Sequence, residues 1–277
     1  MLKISNMDLK NKTILITGAT DGIGKQTAID AAKQGAHVII HGRNQKRIEI
    51  TLNEISKLNT GTSAFGIKAN FENLSEVNNL TNIIKDKYSK IDVIFNNAAE
   101  FIHNKKITED GFERTFQVNY LAHFLLTEKL LSLIKNTDSS KILNVTSMIH
   151  SSTIDFNNLQ GEKSYSGNNA YSLSKLLNIL HTYKLTNILE STQTKANCLH
   201  PGVIETKLLN AAWSGGLPVS EGSGTMLYAA TSQITEQMGG LYLENRRPMQ
   251  SNPISYDKDV QNKLWDLSME MLDKFLK

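Results

Sequence analysis

Thr13-Ile-Leu-Ile-Thr17-Gly18-Ala-Thr-Asp-Gly22-Ile-Gly24 is the stretch that decides the fold. A short apolar run ends at Thr17, a glycine cluster follows it, and a helical pattern continues to Gln34. Gly35 then stands where a helix C-cap is expected, and Ala36–Ile40 is a second apolar run. A strand, a helix and a second strand make one βαβ unit. Because both runs are apolar throughout rather than alternating, they are typical of a parallel sheet covered on both faces.

The same alternation of apolar runs and helical patterns continues to the end of the chain. Further strands are predicted at Ser63–Ala69, Ile91–Phe95, Lys141–Val145, Thr194–Leu199 and Gly240–Leu243. Helices are predicted at Gln45–Leu58, Leu74–Tyr88, Glu109–Lys135, Ala170–Glu190, Glu221–Thr231 and, at the C-terminus, Asp257–Leu276. No internal repeat or linker divides residues 1–277. The sequence therefore predicts a single α/β domain with a doubly wound, parallel, seven-stranded sheet of the Rossmann type.

The composition excludes several classes of protein. The 277 residues include 30 Lys and Arg against 27 Asp and Glu, a formal net charge of +3, with the two signs interspersed. A nucleic-acid-binding protein concentrates its cations in a patch or stripe, so no nucleic-acid partner is expected. Cys198 is the single cysteine, which rules out an intramolecular disulfide framework and a multi-cysteine zinc site. The seven histidines show no metal-ligand spacing, and no metal is expected.

The location of the protein is predicted from what the sequence lacks. Residues Met1–Asp8 have neither the apolar core nor the small-residue cleavage site of a signal peptide. No stretch reaches the roughly 18 uninterrupted apolar residues of a membrane-spanning helix. We therefore expect a soluble, cytoplasmic protein without a membrane span.

The glycines of the first turn predict a dinucleotide site. Their spacing is G-x-x-x-G-x-G, in which Gly18 permits a sharp turn while Gly22 and Gly24 let the backbone approach a pyrophosphate. The N–H groups at the start of the following helix then face the phosphates. A plain structural turn is the alternative, but the position between a first strand and a helix favours the cofactor site.

The end of the second strand bears on which cofactor is bound. NAD sites usually place a carboxylate there to accept hydrogen bonds from the ribose 2′-hydroxyl. Here the chain reads His41-Gly42-Arg43-Asn44, in which Gly42 is expected to leave room and Arg43 offers a planar fork for a 2′-phosphate. Lys46 and Arg47 follow closely. The alternative is a solvated, charged helix start, and NADP(H) is favoured over NAD(H).

Tyr171 and Lys175 are the candidates for proton transfer. They stand four residues apart near the start of a predicted helix, so both side chains lie on one helix face. A nearby ammonium is expected to lower the pKa of the tyrosine towards the range of a usable acid or base. Ser147 and the segment Asn96–Ala99 each follow a predicted strand, at the sheet edge where open α/β proteins bind ligands.

These motifs, in this order, resemble the short-chain dehydrogenase/reductase family over nearly the whole chain. The family's glycine motif is matched by Thr17–Gly24, its N-N-A-G motif by Asn96–Ala99 and its P-G motif by His200–Thr206. The resemblance implies a catalytic set of Asn119, Ser147, Tyr171 and Lys175. It implies a cofactor set of Gly18, Thr20, Asp21, Gly22, Ile23, Gly24, Arg43, Asn44, Asn70, Phe71, Asn97, Ala98, Ala99, Tyr171, Lys175, Pro201, Gly202, Val203 and Thr206.

The family resemblance also implies roles for the catalytic set. Tyr171 would exchange the proton, Ser147 would hold the substrate oxygen, and Lys175 would hold the nicotinamide ribose. Asn119 would serve a water-linked proton relay through Lys175. Two positions depart from the family pattern, since Asn70 stands where an Asp is frequent and Ala99 replaces the last glycine of N-N-A-G.

Several segments are similar to the retinol-dehydrogenase-like branch of the family. They are Asp155–Asn178, Gly239–Leu243 and Lys263–Ser268. This similarity implies NADP(H) and a lipophilic carbonyl or alcohol as the small-molecule substrate, bound by loops near 148–167 and 207–220. Trp213 in the second loop is interpreted equally as part of a mobile substrate loop, with Gly215 and Gly216 as hinge, or as ordinary packing.

Other interpretations remain open on the sequence alone. An NAD-linked alcohol dehydrogenase is one, and a non-catalytic nucleotide-binding regulatory protein on the same fold is another. Members of the family often pair through two long helices, here Glu109–Lys135 and Ala170–Glu190. The resemblance is thus compatible with a homodimer or a homotetramer, and the sequence leaves the oligomeric state open.

Overall fold

Eight strands form one sheet in the computed structural model of the protein, which describes residues 8–277. The strands are β1 Thr13–Ile16, β2 His37–Gly42, β3 Ala64–Lys68, β4 Val93–Asn96, β5 Ser140–Val145, β6 Thr194–Leu199, β7 Tyr242–Glu244 and β8 Arg247–Met249. Their order is β3-β2-β1-β4-β5-β6-β7-β8, with the first seven parallel and β8 antiparallel to β7. The predicted fold class is confirmed. Of residues 1–8, whose sequence lacks the features of a signal peptide, all but Asp8 lie outside the described residues.

The helices alternate with the strands. They are α1 Gly22–Lys33, α2 Gln45–Ser56, α3 Leu74–Lys87, α4 Arg114–Phe116, α5 Ala122–Lys135, α6 Gly167–Ile188, α7 Lys207–Asn210, α8 Val219–Thr231, α9 Gln233–Gln237, α10 Lys258–Met271 and α11 Asp273–Leu276. Gln117–Leu121 form a π-helix between α4 and α5, and Pro253–Tyr256 form a 3-10 helix. Gly35 has φ +86° directly after the C-cap of α1, as the sequence predicts. No helix among residues 8–277 combines the length and apolar content needed to cross a membrane.

The strand order places a crevice in the middle of the sheet. One apolar core, with Ala28, Ile48 and Met226, packs α1, α2 and α8 on one face. A second, with Leu80 and Leu126, packs α3 and α5 on the other face. Because β1 lies between β2 and β4, the connections that lead to β2 and to β4 run in opposite directions from the middle of the sheet. Open α/β sheets bind their ligands at the carboxyl ends of the strands at such a point.

The helix predicted at Glu109–Lys135 begins later and is not uniform. Residues 109–113 form a turn in which Gly111 has φ +87°, a conformation that does not continue into a helix. The Glu113 carboxylate then caps α4 by accepting the N–H groups of Thr115 and Phe116. The apolar period alone could not locate this start, because the capping carboxylate precedes the helix within a polar segment.

The C-terminal segment packs onto the two helices expected to form a dimer interface. It divides at Leu272 into α10, which lies against α6, and α11, which lies against α5 and α3. The Trp265 ring packs 4.8 Å from Phe124, and the Tyr120 hydroxyl is 2.7 Å from that of Ser268. A homo-oligomer stays a prediction, and α10 and α11 already cover part of the surface through which it would form.

Candidate active site

One cleft of about 910 Å³ lies at the carboxyl ends of the strands, and its walls contain nearly every predicted site residue. All nineteen predicted cofactor residues line it, and so does Ser147. Asn119 is buried behind the wall rather than in it. The topology therefore brings together segments that are far apart in sequence, while the role of each residue stays a prediction.

The glycine turn is packed directly against the turn that follows β4. A Cβ on Gly18, which has φ +66°, would lie 2.9 Å from the Cα of Ala98. A Cβ on Gly24 would lie 2.5 Å from Nδ2 of Asn97. Thr17 fastens the two turns, since its hydroxyl accepts the backbone N–H groups of Asn97 and Ala98 at 2.8 and 2.9 Å. The close packing against Asn97 and Ala98 thus requires glycine at positions 18 and 24 whether or not a phosphate is bound.

Asp21 is the N-cap of α1 and the centre of a small cationic cluster. Its carboxylate accepts the N–H of Gly22 and lies 2.6 Å from Lys207 Nζ and 3.3 Å from Arg47. Burial acts to raise the pKa of Asp21, but the hydrogen bonds from Lys207 and Gly22 outweigh it and the pKa is lowered. Asp21 is therefore charged at neutral pH and holds two cations at the start of the cleft.

Arg43 lies in the wall of the cleft, and its contact with a 2′-phosphate stays a prediction. Its side chain is 62% exposed and is 3.4 Å from Glu100 and 3.7 Å from Glu72. Both carboxylates are also bound by Arg114, which is only 18% exposed. Arg43 is consequently the loosely held member of a four-residue ion network and can turn towards an anion without leaving either carboxylate unpaired.

The room expected at Gly42 does not exist. A Cβ added there would lie 2.4 Å from Cγ2 and 2.9 Å from Oγ1 of Thr20. The side chain of Thr20, from the glycine turn, fills the place where an NAD-binding carboxylate would stand. The expectation was wrong because the occupying side chain comes from a segment 22 positions away in sequence.

Tyr171, Lys175 and Ser147 meet at the inner end of the cleft. The Lys175 ammonium lies 5.4 Å from the centre of the Tyr171 ring and donates to the Val145 carbonyl at 3.0 Å. Burial lowers the pKa of Lys175 to about 8. Burial also raises the pKa of Tyr171 to about 12, although the nearby Ser147 hydroxyl acts in the opposite direction. The expected lowering of the tyrosine pKa is therefore wrong for this structure, and Tyr171 is a protonated acid at neutral pH.

Asn119 stands in the π-helix, where its side chain and its backbone serve different partners. The amide group exchanges two hydrogen bonds with the backbone of Glu100, at 2.8 and 3.0 Å. The backbone carbonyl accepts from Asn178 Nδ2 at 3.1 Å. Asn119 thus ties the turn after β4 to α6, the helix of Tyr171. The water-linked relay implied by the family resemblance stays a prediction.

Part of the cleft wall is apolar and aromatic. The rings of Tyr171 and Trp213, both in the cleft wall, form a triangle with the ring of Phe101, with centroid distances of 5.3 to 5.9 Å. His103 binds the Ala211 carbonyl at 2.8 Å and so fastens the loop of Trp213. Further apolar side chains line the cleft, namely Met148, Ile149, Val203, Ile204, Leu208 and Leu209. Trp213 therefore packs against Tyr171 in the wall of the cleft. Movement of its loop stays a prediction.

Sequence reasoning missed several residues of the cleft wall. They are His41, Ala69, Glu100, Val118, Val145 and Thr146. Most stand within two positions of a recognised motif, and this proximity was the available signal. Among residues 8–277, no group of three or more His, Cys, Asp or Glu side chains has a geometry that could hold a metal ion.

Comparison with known proteins places this geometry in a family. A family profile described as short chain dehydrogenase matches residues 12–215. The chain is 33% identical to Homo sapiens retinol dehydrogenase 14, with 95% of this chain and 87% of that protein covered. It is 31% identical to Homo sapiens polyprenol dehydrogenase, with 94% and 85% covered.

Solved structures agree in fold. A crystal structure of a Mycobacterium paratuberculosis protein is 28% identical, with a TM-score of 0.81 over 97% of this chain and 96% of that one. A short chain dehydrogenase from Escherichia coli CFT073, complexed with NADPH, has a TM-score of 0.70 over 87% and 99% of the two chains. At 22% identity the second likeness shows the fold alone.

The matched residues contain the glycine turn, Ser147 and the Tyr171–Lys175 pair, which the fold gathers in one cleft. The predicted family is thereby confirmed: the chain belongs to the short-chain dehydrogenases, oxidoreductases that act on a CH–OH group with NAD(P).

Proposed function

We propose that the protein is an NADP(H)-dependent oxidoreductase that interconverts a carbonyl and an alcohol on a lipophilic small molecule. The observation that carries this proposal is one cleft whose wall contains Tyr171, the glycine-rich turn and several apolar and aromatic side chains. Two relatives are dehydrogenases named for retinol and polyprenol, both long apolar alcohols, and this supports an apolar substrate.

The residues present fit a dinucleotide. The N-terminus of α1 and the glycine turn offer backbone N–H groups for a pyrophosphate, and Asn70 and Phe71 line the adenosine side of the cleft. When bound, the reduced cofactor supplies a hydride to the substrate carbon. Arg43 and Arg47 line the cleft near Asn44 and supply the cations that a 2′-phosphate requires, which favours NADP(H) over NAD(H).

The protein's own contribution to reduction is orientation and a proton. Ser147 donates a hydrogen bond to the substrate oxygen, and the Tyr171 hydroxyl gives its proton to the same oxygen as the alcohol forms. Lys175 holds positive charge next to the developing phenolate, which stabilises it. Because the pKa of Tyr171 is about 12, the protonated form needed for reduction dominates at neutral pH.

The test is spectrophotometric. Purified protein is given NADPH or NADH with a panel of long-chain aldehydes, polyene aldehydes and short polar aldehydes, and loss of the reduced cofactor is followed. Reduction of the apolar aldehydes with NADPH, lost in Tyr171→Phe, is the expected result. If the wild type bound NADPH but turned over no carbonyl or alcohol, the non-catalytic alternative would replace this proposal. Faster turnover with NADH would instead favour the NAD-linked alternative.

A further inference from the structure

The ring of His123 joins the glycine turn to the catalytic π-helix. His123 lies on α5 one helical turn after Asn119 and is 1% exposed. Its Nε2 is 2.9 Å from the hydroxyl of Thr17, and its Nδ1 is 3.2 Å from the carbonyl oxygen of Asn119. One buried side chain thus contacts the end of β1 and the segment that carries a predicted catalytic residue.

The hydroxyl of Thr17 determines which nitrogen of this ring carries the proton. It accepts the N–H groups of Asn97 and Ala98, and these use both of its lone pairs. Its own proton then goes to His123 Nε2 at 2.9 Å rather than to the Phe95 carbonyl at 3.3 Å. Since Nε2 accepts, the proton of the neutral ring is on Nδ1, which donates to the carbonyl in the π-helix.

Burial keeps His123 neutral, and neighbouring rings hold it in place. Burial lowers the pKa of His123 to about 3 and that of His41 to about 4. Phe71 stacks on His41 at 4.1 Å and meets His123 edge-on at 5.3 Å. His41 accepts the N–H of Gly18 at 3.3 Å and contacts the Ala69 carbonyl at 3.0 Å. Two neutral histidines therefore hold opposite sides of the glycine turn, with Phe71 between them.

We propose that His123 is a positioning residue for hydride transfer: in its Nδ1–H form it links Thr17 to Asn119. It thereby keeps the Asn97–Ala98 turn, part of the cofactor cleft, in register with the helix that supports the catalytic side chains. The inference rests on the proposed function, because cofactor and substrate are aligned between these two elements. Removal of the ring should weaken NADPH binding and slow turnover together, whereas a purely structural histidine would change stability alone.

Three variants test this assignment. His123→Leu removes both hydrogen bonds, and Thr17→Val removes the hydroxyl with little change in volume. His181→Leu is the matched control, since His181 is also buried among aromatic rings but lies outside the cleft and has no hydrogen-bond partner among residues 8–277. Titration with NADPH alone and steady-state kinetics are measured for each folded variant.

We expect the first two variants to raise the NADPH dissociation constant and lower kcat about tenfold each, a factor equal to 1.4 kcal/mol. The double variant should be no worse than the poorer single variant, and Thr17→Ser should restore the wild-type values. His181→Leu should keep the wild-type affinity and kcat. Wild-type affinity and turnover in a folded His123→Leu would overturn the proposal.

The tautomer gives a measurement independent of turnover. Nitrogen-15 NMR of the wild-type histidine side chains at pH 7 should show His123 protonated on Nδ1, and a proton on Nε2 would overturn the proposal even if His123→Leu does not fold. A wild type that bound no NADPH would instead refute the proposed function, a failure visible before any variant is made.

Discussion

Replacement of Arg43 by alanine tests the choice of cofactor most directly. Arg43 is 62% exposed, and its contacts with Glu100 and Glu72 are long, at 3.4 and 3.7 Å. Arg114 keeps both carboxylates paired when Arg43 is absent. The fold and the active site should therefore survive the change, and the effect should be confined to the recognition of a 2′-phosphate.

The magnitude follows from the kind of contact that is lost. A hydrogen bond to a charged group contributes about 1.5–3 kcal/mol. Because Arg43 is well exposed, solvent screening reduces that contribution, and the lower end of the range is appropriate. A loss of about 1.4 kcal/mol corresponds to a factor of ten. Arg43→Ala should thus weaken NADPH binding about tenfold and leave NADH binding unchanged.

Isothermal titration of both cofactors against the wild type and Arg43→Ala measures this ratio. Lys46→Ala is the matched control, because it removes the same charge from an exposed neighbour that does not line the cleft. An equal loss in Lys46→Ala would show that only the general positive field matters. An unchanged ratio in Arg43→Ala would show that Arg43 points into solvent, and the NADP assignment would be withdrawn.

A gain of NADH binding should require space as well as charge. Gly42→Asp alone should fail, because its Cβ would lie 2.4 Å from Thr20 Cγ2. Thr20→Ala removes the two closest atoms and leaves a contact of 3.3 Å. The triple variant with Arg43→Ala should therefore prefer NADH, and the same titrations would detect it. Reversal by Gly42→Asp and Arg43→Ala without the change at Thr20 would contradict the steric argument.

Four further predictions concern buried groups. Tyr171→Phe should lower turnover by roughly 10²-fold or more, because the proton donor is lost. The NADPH affinity measured by titration should stay nearly unchanged. A wild-type turnover rate in this variant would show that another group is the acid. Lys175→Met should lose activity and weaken NADPH binding. In the wild type, kcat/KM for reduction should decline as pH rises through about 8. Burial lowers the pKa of Lys175 to about 8, so its positive charge is lost above that pH. A pH profile of kcat/KM that stays flat to pH 10 would contradict this prediction. His181→Leu should raise the free energy of unfolding by about 1 kcal/mol in urea titrations, because a buried imidazole with no partner among residues 8–277 carries a desolvation cost. A clear loss of stability would show that the ring has a polar partner.

The sequence alone determined the features that depend on spacing along the chain. Uniformly apolar runs separated by helical patterns predicted the parallel sheet, and seven of its eight strands were located. β8 was missed because its three residues are all exposed and have no apolar pattern. Tyr171 and Lys175 were recognisable because a spacing of four places two side chains on one helix face wherever the helix packs.

Only the tertiary structure decided the properties that depend on neighbours from distant segments. Thr20 fills the space beside Gly42, and Glu72 and Glu100 hold Arg43 although both are more than 25 positions away. The pKa of Tyr171 rises because burial outweighs the adjacent hydrogen bond, and sequence spacing carries no measure of burial. Local pattern specifies which backbone elements form, whereas free volume, charge pairing and desolvation are set only when those elements pack against one another.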